Sequence, residues 1–188
     1  MIEGSHTARL LVATPLIGDT HFERSVVLLL AHGAEGAFGV IVNRPSDTLV
    51  DEVAPQWRGH VTWPASVFIG GPVAPDTLVG LGRPMDAESV SGFTAMGAGL
   101  GVVDLTRPPP TDSADASRWA GLRLFAGSAG WAPGQVEDEI ADGAWWPVDP
   151  APDDILTADP AGLWQRVVRR QKGTTAWFAN CPVDVSAN

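Results

Sequence analysis

Apolar residues along the chain fall into short, nearly continuous runs separated by glycine, proline and polar positions. Runs of this length bounded by turn residues predict strands covered on both faces. Residues 9–14 form the first such run. Residues 25–32 (SVVLLLAH) form the strongest, and residues 37–43 (AFGVIVN) return after Gly33-Ala34-Glu35-Gly36, a four-residue connection with glycine at both ends. The two predict a central antiparallel hairpin. Its register sets His32 opposite Ala37, and it sets Asn43 near Val26 and the turn expected over residues 21–24. Strands buried on both faces need helices or a second sheet against them.

Beyond the hairpin the pattern shortens. Residues 43–47 read as a loop into a helix capped by Ser46 or Asp47, with Leu49, Val50 and Val53 as its stripe and Pro55 limiting its length. Residues 67–69 read as a short strand leaving at Gly70-Gly71-Pro72. A turn over 75–77 precedes a strand over 78–83, and residues 84–98 read as loop with strand pieces. Residues 100–105 predict another strand. Residues 106–117, with three consecutive prolines and TDSADAS, predict a polar surface connection within one domain spanning residues 1–188, its ordered core about 8–178.

The most informative stretch is LRLFAGSAGWAPGQVEDEI, residues 122–140. It predicts a buried strand (122–126), a glycine bend (127–130) and a helix opening at Pro133. Trp131 sits at the junction and Gln135 just inside the helix, so a site is expected at this bend. Residues 144–148 predict a strand with paired tryptophans. Asp159 and Pro160 open a last helix with the stripe Leu163, Trp164, Val167 and Val168; Gly173 ends it, and the tail from Ala179 is expected to be loose.

Composition narrows the function. With 45% hydrophobic and 18% charged residues the chain reads as globular. A net charge of −10 repels phosphate backbones, so no direct nucleic-acid partner is expected. The one basic cluster, Arg166, Arg169, Arg170 and Lys172, falls in the last turns of the final helix, where cations complement the helix dipole. A lone cysteine, Cys181, fits a reducing cytoplasm. The leading apolar run is broken by Pro15, and none approaches the ~20 residues of a membrane span. No membrane partner is expected.

Catalytic chemistry finds little support. Ser128, between Gly127 and Gly130, mimics a nucleophile on a strand-to-helix turn, but all four histidines (His6, His21, His32, His60) precede it. No Gly-Lys-Ser/Thr follows the bend, and Glu137, Asp138 and Glu139 read as dipole complements on a solvated face. His21-Phe22-Glu23 offers two potential ligands and no third of metal spacing. The hairpin brings Asn43 and Arg44 to His21 or Glu23, as a structural clamp in preference to one wall of a pocket.

Three segments, HFERSVVLLLAHGAEGAFGVIVNRPS (21–46), FIGGPV (68–73) and FAGSAGWAPGQVEDEI (125–140), together resemble the AlgH/YqgE family of bacterial proteins. The likeness runs in order from about residue 10 to residue 171. Ser128 stands where the family usually has tyrosine, and Ala132 where it usually has glycine. The resemblance implies an α+β fold: a mixed, partly bifurcated sheet curled into a pseudo-barrel with helices packed outside. It implies no settled activity. Some members are labelled transcriptional regulators, but no helix-turn-helix pattern occurs here.

The leading expectation is a cytoplasmic, non-catalytic binding or regulatory protein acting through a protein or small-molecule partner, with no cofactor, metal or catalytic residue. Its surface is expected at Trp131 and Gln135, joined by Asn43, Arg44, Gly70 and Gly71, with Arg44 placed to meet an anionic group. Two alternatives stand beside it: a hydrolase using Ser128 with His21 or His32 as base, and a transcriptional regulator acting indirectly.

Overall fold

The computed structural model describes residues 5–86, 90–97, 99–107, 109 and 119–180. The predicted hairpin is there. Strand β1 (Leu10–Ala13) pairs antiparallel with β2 (Val26–Gly33), and β2 pairs antiparallel with β3 (Gly36–Ile41). His32 faces Ala37 and Gly33 faces Gly36, so the turn proper is Ala34-Glu35. Side chains alternate across these strands, as a pleat requires. Val12, Leu28 and Val40 enter one buried cluster; Leu11, Val27 and Ile41 enter another on the opposite face.

The second half holds β4 (Pro45–Leu49), β5 (Ser66–Ile69), β6 (Val73–Pro84), β7 (Phe93–Gly97) and β8 (Leu100–Val103). Strand β9 (Trp119–Trp131) joins the halves, and β10 (Trp145–Val148) closes on the free edge of β1. The main path is β10-β1-β2-β3-β9-β6-β8-β7, with β4 and β5 branching from it. The sheet forks at β9. That strand pairs β6 antiparallel, β5 in parallel at Phe125 and Ala126, and β3 antiparallel from Ala129 to Trp131. The architecture is mixed α+β, mostly antiparallel with few helices, and no pairing between β10 and β7 closes it into a barrel.

Among the described residues three α-helices accompany the sheet: α1 (Val50–Val53), α2 (Gln135–Ala141) and α3 (Leu163–Arg169). Leu163, Trp164, Val167 and Val168 of α3 fill the cluster that Leu10, Val26, Phe68, Leu81 and Phe125 share. Val136 of α2 enters the opposite one with Trp131 and Trp145. Among the described residues no helix is long and apolar enough to cross a membrane.

The expected bend over 127–130 is not a turn: β9 continues through it. Gly127 has φ +72°, and a Cβ there would lie 2.4 Å from the Gly71 carbonyl oxygen. A Cβ on Gly70 would meet the Gly127 oxygen at 2.3 Å. These glycines let two backbones touch side by side instead of reversing the chain. Helix α2 accordingly starts at Gln135, after a turn at Pro133-Gly134.

Other expectations fail for related reasons. Ser46 and Asp47 lie in β4 and cap no helix: the Ser46 hydroxyl donates to the Val67 carbonyl across the β4–β5 pair, and Leu49 precedes α1 without a side-chain cap. Leu49 and Val53 are half-exposed, leaving only Val50 of the supposed stripe buried. The turn over 75–77 is an irregularity inside β6, where the register shifts between Val73 and Leu78. Residues Gly173–Asn180 form a 3-10 helix with Ala179 buried, and the rest of the tail expected to be loose, 181–188, lies outside the described residues. Most of the connection over 106–117 lies outside the described residues.

One buried residue had no counterpart among the expectations. Arg123 in β9 is 1% exposed, with its guanidinium 4.2 Å from the centre of the Phe68 ring. It donates to the carbonyls of Ile155 (3.0 Å), Trp63 (3.1 Å) and Thr157 (2.8 Å), pinning two loops to the sheet. Desolvation lowers its pKa to about 10, which leaves it a cation at neutral pH.

Candidate functional site

Where β9 ends, Trp131 meets Trp145, the first residue of β10, with ring centres 6.1 Å apart and planes at 77°. Phe22, from the turn before β2, packs on both at 6.1 and 5.5 Å. Trp145 meets both other rings edge-to-face, an arrangement favourable beyond the area it buries, while Phe22 and Trp131 are tilted at 33°. Both indoles turn their N–H groups to one carboxylate oxygen: Glu139 Oε2 accepts from Trp131 at 2.9 Å and from Trp145 at 2.7 Å. Glu139 Oε1 accepts from Gln135 Nε2 at 2.7 Å.

The local sequence explains how Glu139 reaches this place. Gln135 Oε1 accepts the Ala132 N–H at 3.0 Å while the Gln135 N–H donates to the Ala132 carbonyl at 3.1 Å. The backbone bond closes the turn, and the Gln135 side chain supplies the return half of a capping box, in which a Gln accepts the N–H three residues earlier. Gly134 supplies the left-handed step (φ +80°) that the turn needs. One helical turn on, i to i+4, Glu139 falls on the same side as Gln135 and faces the indoles.

These groups line a cleft of about 380 Å³, within the range of small-molecule sites. Phe22, Trp131 and Trp145 supply its aromatic lining, Pro72 comes from the connection between β5 and β6, Val73 opens β6, and Asp19, Gln135 and Glu139 are polar members. Asp19 accepts from the His21 backbone N–H at 2.8 Å and contacts His21 Nδ1 at 2.9 Å. Those hydrogen bonds hold its carboxyl below the ordinary value.

Of the residues expected at the site, Trp131 and Gln135 line the cleft. Asn43 and Arg44 stand behind it, on backbone. Asn43 Oδ1 accepts the Val26 N–H at 2.8 Å and its Nδ2 donates to the Arg24 carbonyl at 2.9 Å. Arg44 donates to the carbonyls of His21 and Glu23, the latter at 2.8 Å. Burial weakens the Arg44 guanidinium's hold on its proton, opposed by Glu23 and Asp19. Both residues clamp the turn that carries Phe22. Gly70 and Gly71 sit where β5 leaves beside β9, and the Gly70 N–H donates to the Ala126 carbonyl at 2.7 Å.

Ser128 is buried at 5% exposure within β9, its hydroxyl 3.5 Å from the Val73 carbonyl oxygen. It is not the exposed serine on a tight turn that its flanking glycines suggested. His32 Nδ1 accepts the His6 N–H at 3.0 Å, so its Nε2 carries the proton and donates to Glu137 at 3.0 Å. Among the described residues no group of three or more His, Cys, Asp or Glu is placed to hold a metal ion.

Glu139, Trp145, Phe22 and Asp19 were missing from the expected site. The acidic run 137–139 suggests a solvated dipole complement, whereas Glu139 faces the indoles. Its spacing of four from Gln135 was the one local signal; the indole that completes the arrangement arrives from a different strand.

A forked, mostly antiparallel sheet with few helices places this chain in the α+β class. The model of the AlgH-like family, DUF179, matches residues 10–176, and the chain is a member of that family. A UPF0301 protein of Thermobifida fusca is 46% identical over 193 residues, covering 98% of this chain and 96% of its own. One from Streptomyces coelicolor is 43% identical with the same coverage. The crystal structure of protein DIP2367 from Corynebacterium diphtheriae superposes with a TM-score of 0.85 at 34% identity, over 93% of this chain and 92% of that one. The solution structure of AlgH from Pseudomonas aeruginosa gives 0.67 at 24% identity over 97% of each chain, a likeness of fold alone.

Proposed function

We propose that the chain is a non-catalytic binding protein that takes a small molecule in the cleft at Trp131, Trp145 and Glu139. The observation carrying this is the Glu139 carboxylate, fixed by three neutral donors in a cleft walled by three aromatic rings. Rigid aromatic walls with a few convergent polar groups are the usual make-up of a ligand site. The reading includes a cytoplasmic location, supported by the single cysteine. It also takes the forked sheet as an incomplete pseudo-barrel, since both halves send side chains to the cluster around α3.

A thermal-shift screen of the full chain against amines, nucleotides, organic acids and sugars tests the proposal. A ligand at ~100 times its Kd adds about 2.7 kcal/mol, roughly 5–10 °C for a chain of this size. A hit should be lost or weakened in Trp131→Phe, which keeps an aromatic wall and removes the indole N–H. A flat screen, or hits indifferent to Trp131→Phe and Gln135→Ala, overturns it.

A further inference from the structure

We infer that the cleft selects an organic cation bearing N–H donors, a primary ammonium or guanidinium group. This rests on the small-molecule reading of the cleft and adds the charge and hydrogen-bonding class of its ligand.

The electrostatics point one way. Two carboxylates, Asp19 and Glu139, line the cleft. Among the described residues the three hydrogen bonds to Glu139 come from neutral groups, two indoles and one amide, so none of them cancels its charge. Helix α2 adds Glu137 and Asp138 in its first turn and has no basic residue in its last. The Arg44 guanidinium donates to the carbonyls of His21 and Glu23 and acts on Asp19 through its field, whereas Glu139 has no cationic hydrogen-bond partner among the described residues. An anionic ligand would meet two like charges. A neutral apolar ligand would strip water from Glu139 without replacing its hydrogen bonds, which is costly. A cation gains from both carboxylates and from the faces of the aromatic lining.

Hydrogen-bonding capacity narrows the class. Glu139 Oε2 already accepts two hydrogen bonds, whereas Oε1 accepts only that of Gln135 and keeps room for another. Asp19 takes both His21 contacts on Oδ1, and its Oδ2 has no hydrogen bond among the described residues. An ammonium or guanidinium group donates to both carboxylates; a quaternary ammonium has nothing to donate.

Isothermal titration of the full chain at fixed ionic strength, with matched probes, decides it. The probes are n-butylammonium, n-butylguanidinium, tetramethylammonium, n-butanol and butyrate. The expected result is saturable binding of the first two and markedly weaker binding of the others. The indole N–H resonances of Trp131 and Trp145 should move on titration. Asp19→Asn retains the acceptor for His21, and its substitution should weaken butylammonium about tenfold through the loss of one charge-assisted hydrogen bond. Tight binding of butyrate or butanol with no response to the cations overturns the charge assignment and leaves the cleft as a site. Cation binding that Asp19→Asn leaves unchanged places the cation on the acidic surface and also overturns it. Silence toward this panel and toward the broad screen removes both readings together.

Discussion

Trp131 and Trp145 donate to the same oxygen. Their indole N–H groups come from the last residue of β9 and the first of β10, and both end on Glu139 Oε2. The carboxylate is therefore a tie between two strands as well as a candidate ligand contact. Glu139→Ala leaves two indole donors without their partner, and water from the cleft replaces only part of the loss. The expected cost is about 2 kcal/mol, a fall of roughly 4–8 °C in Tm. Glu137→Ala, which removes one bond to His32, should cost under about 1 kcal/mol. Urea denaturation of the two variants side by side checks the ordering.

The Asn43 clamp makes a sharper chemical prediction. Its amide both accepts from Val26 and donates to the Arg24 carbonyl. Asn43→Asp keeps the shape and the acceptor but sets a carboxylate oxygen against a carbonyl. It should be as destabilising as Asn43→Ala, about 2 kcal/mol, although it is the closer isostere. An Asn43→Asp variant as stable as the parent would contradict the donor role.

Two kinds of glycine should respond differently. At Gly71 (φ +151°) an added Cβ would lie 2.2 Å from the Ser128 carbonyl oxygen, and at Gly70 it would lie 2.3 Å from the Gly127 oxygen. Backbone cannot yield there without parting β5 from β9, so either alanine should cost more than about 3 kcal/mol or prevent folding. At Gly134 (φ +80°) nothing lies within 4 Å. Gly134→Ala should cost only the conformational penalty, about 1 kcal/mol. Soluble yield and Tm of the three variants provide the comparison.

Acidification should expose two histidines. Desolvation lowers the pKa of His60 from its ordinary 6.5, and its buried Nδ1 has no partner among the described residues. His6 is lowered by desolvation first, then by Arg9 and His32. Below pH 6.5 the unfolded chain binds protons that these groups refuse when folded, so stability rises with pH. Their contribution is complete above about pH 6.5 and is lost as pH falls toward the lowered folded values. The −10 net charge works in the opposite direction, because acid relieves self-repulsion. The difference between the parent and His60→Gln isolates the histidine: between pH 7.5 and 5, Tm of the variant should fall less. Parallel curves would refute the assignment.

The hairpin of β2 and β3 was legible because its signal is local. Eight nearly apolar residues, two glycines and a return run define strand, turn and register together. Register then placed Asn43 against Val26, so the clamp could be read as well. Residues 127–130 differ from the expected bend because glycines that permit a turn also permit backbone contact, and only the partner strand decides between them. Ser46 and Asp47 look like caps in isolation; pairing with β5 overrides that preference. Glu139 lies within an acidic run whose local pattern matches a wet helix face, and its partner Trp145 is brought in by pairing with β1. Arg123 is one charge inside an apolar run, and the carbonyls that hold it come from loops at residues 63, 155 and 157.

Strand β9 serves β6 along one edge while its other edge is divided between β5 and β3. Peeling any one neighbour away leaves β9 still held by the others, so partial opening at its centre gains little chain freedom for the bonds it breaks. The amide protons of its central residues, Leu124 to Ala126, should therefore exchange with deuterium only when the whole molecule unfolds, whereas those of β7, which pairs with β8 alone, should exchange through local fraying. Denaturation followed at the cleft tryptophans and at the far end of the sheet should trace one curve, because the same strand anchors both.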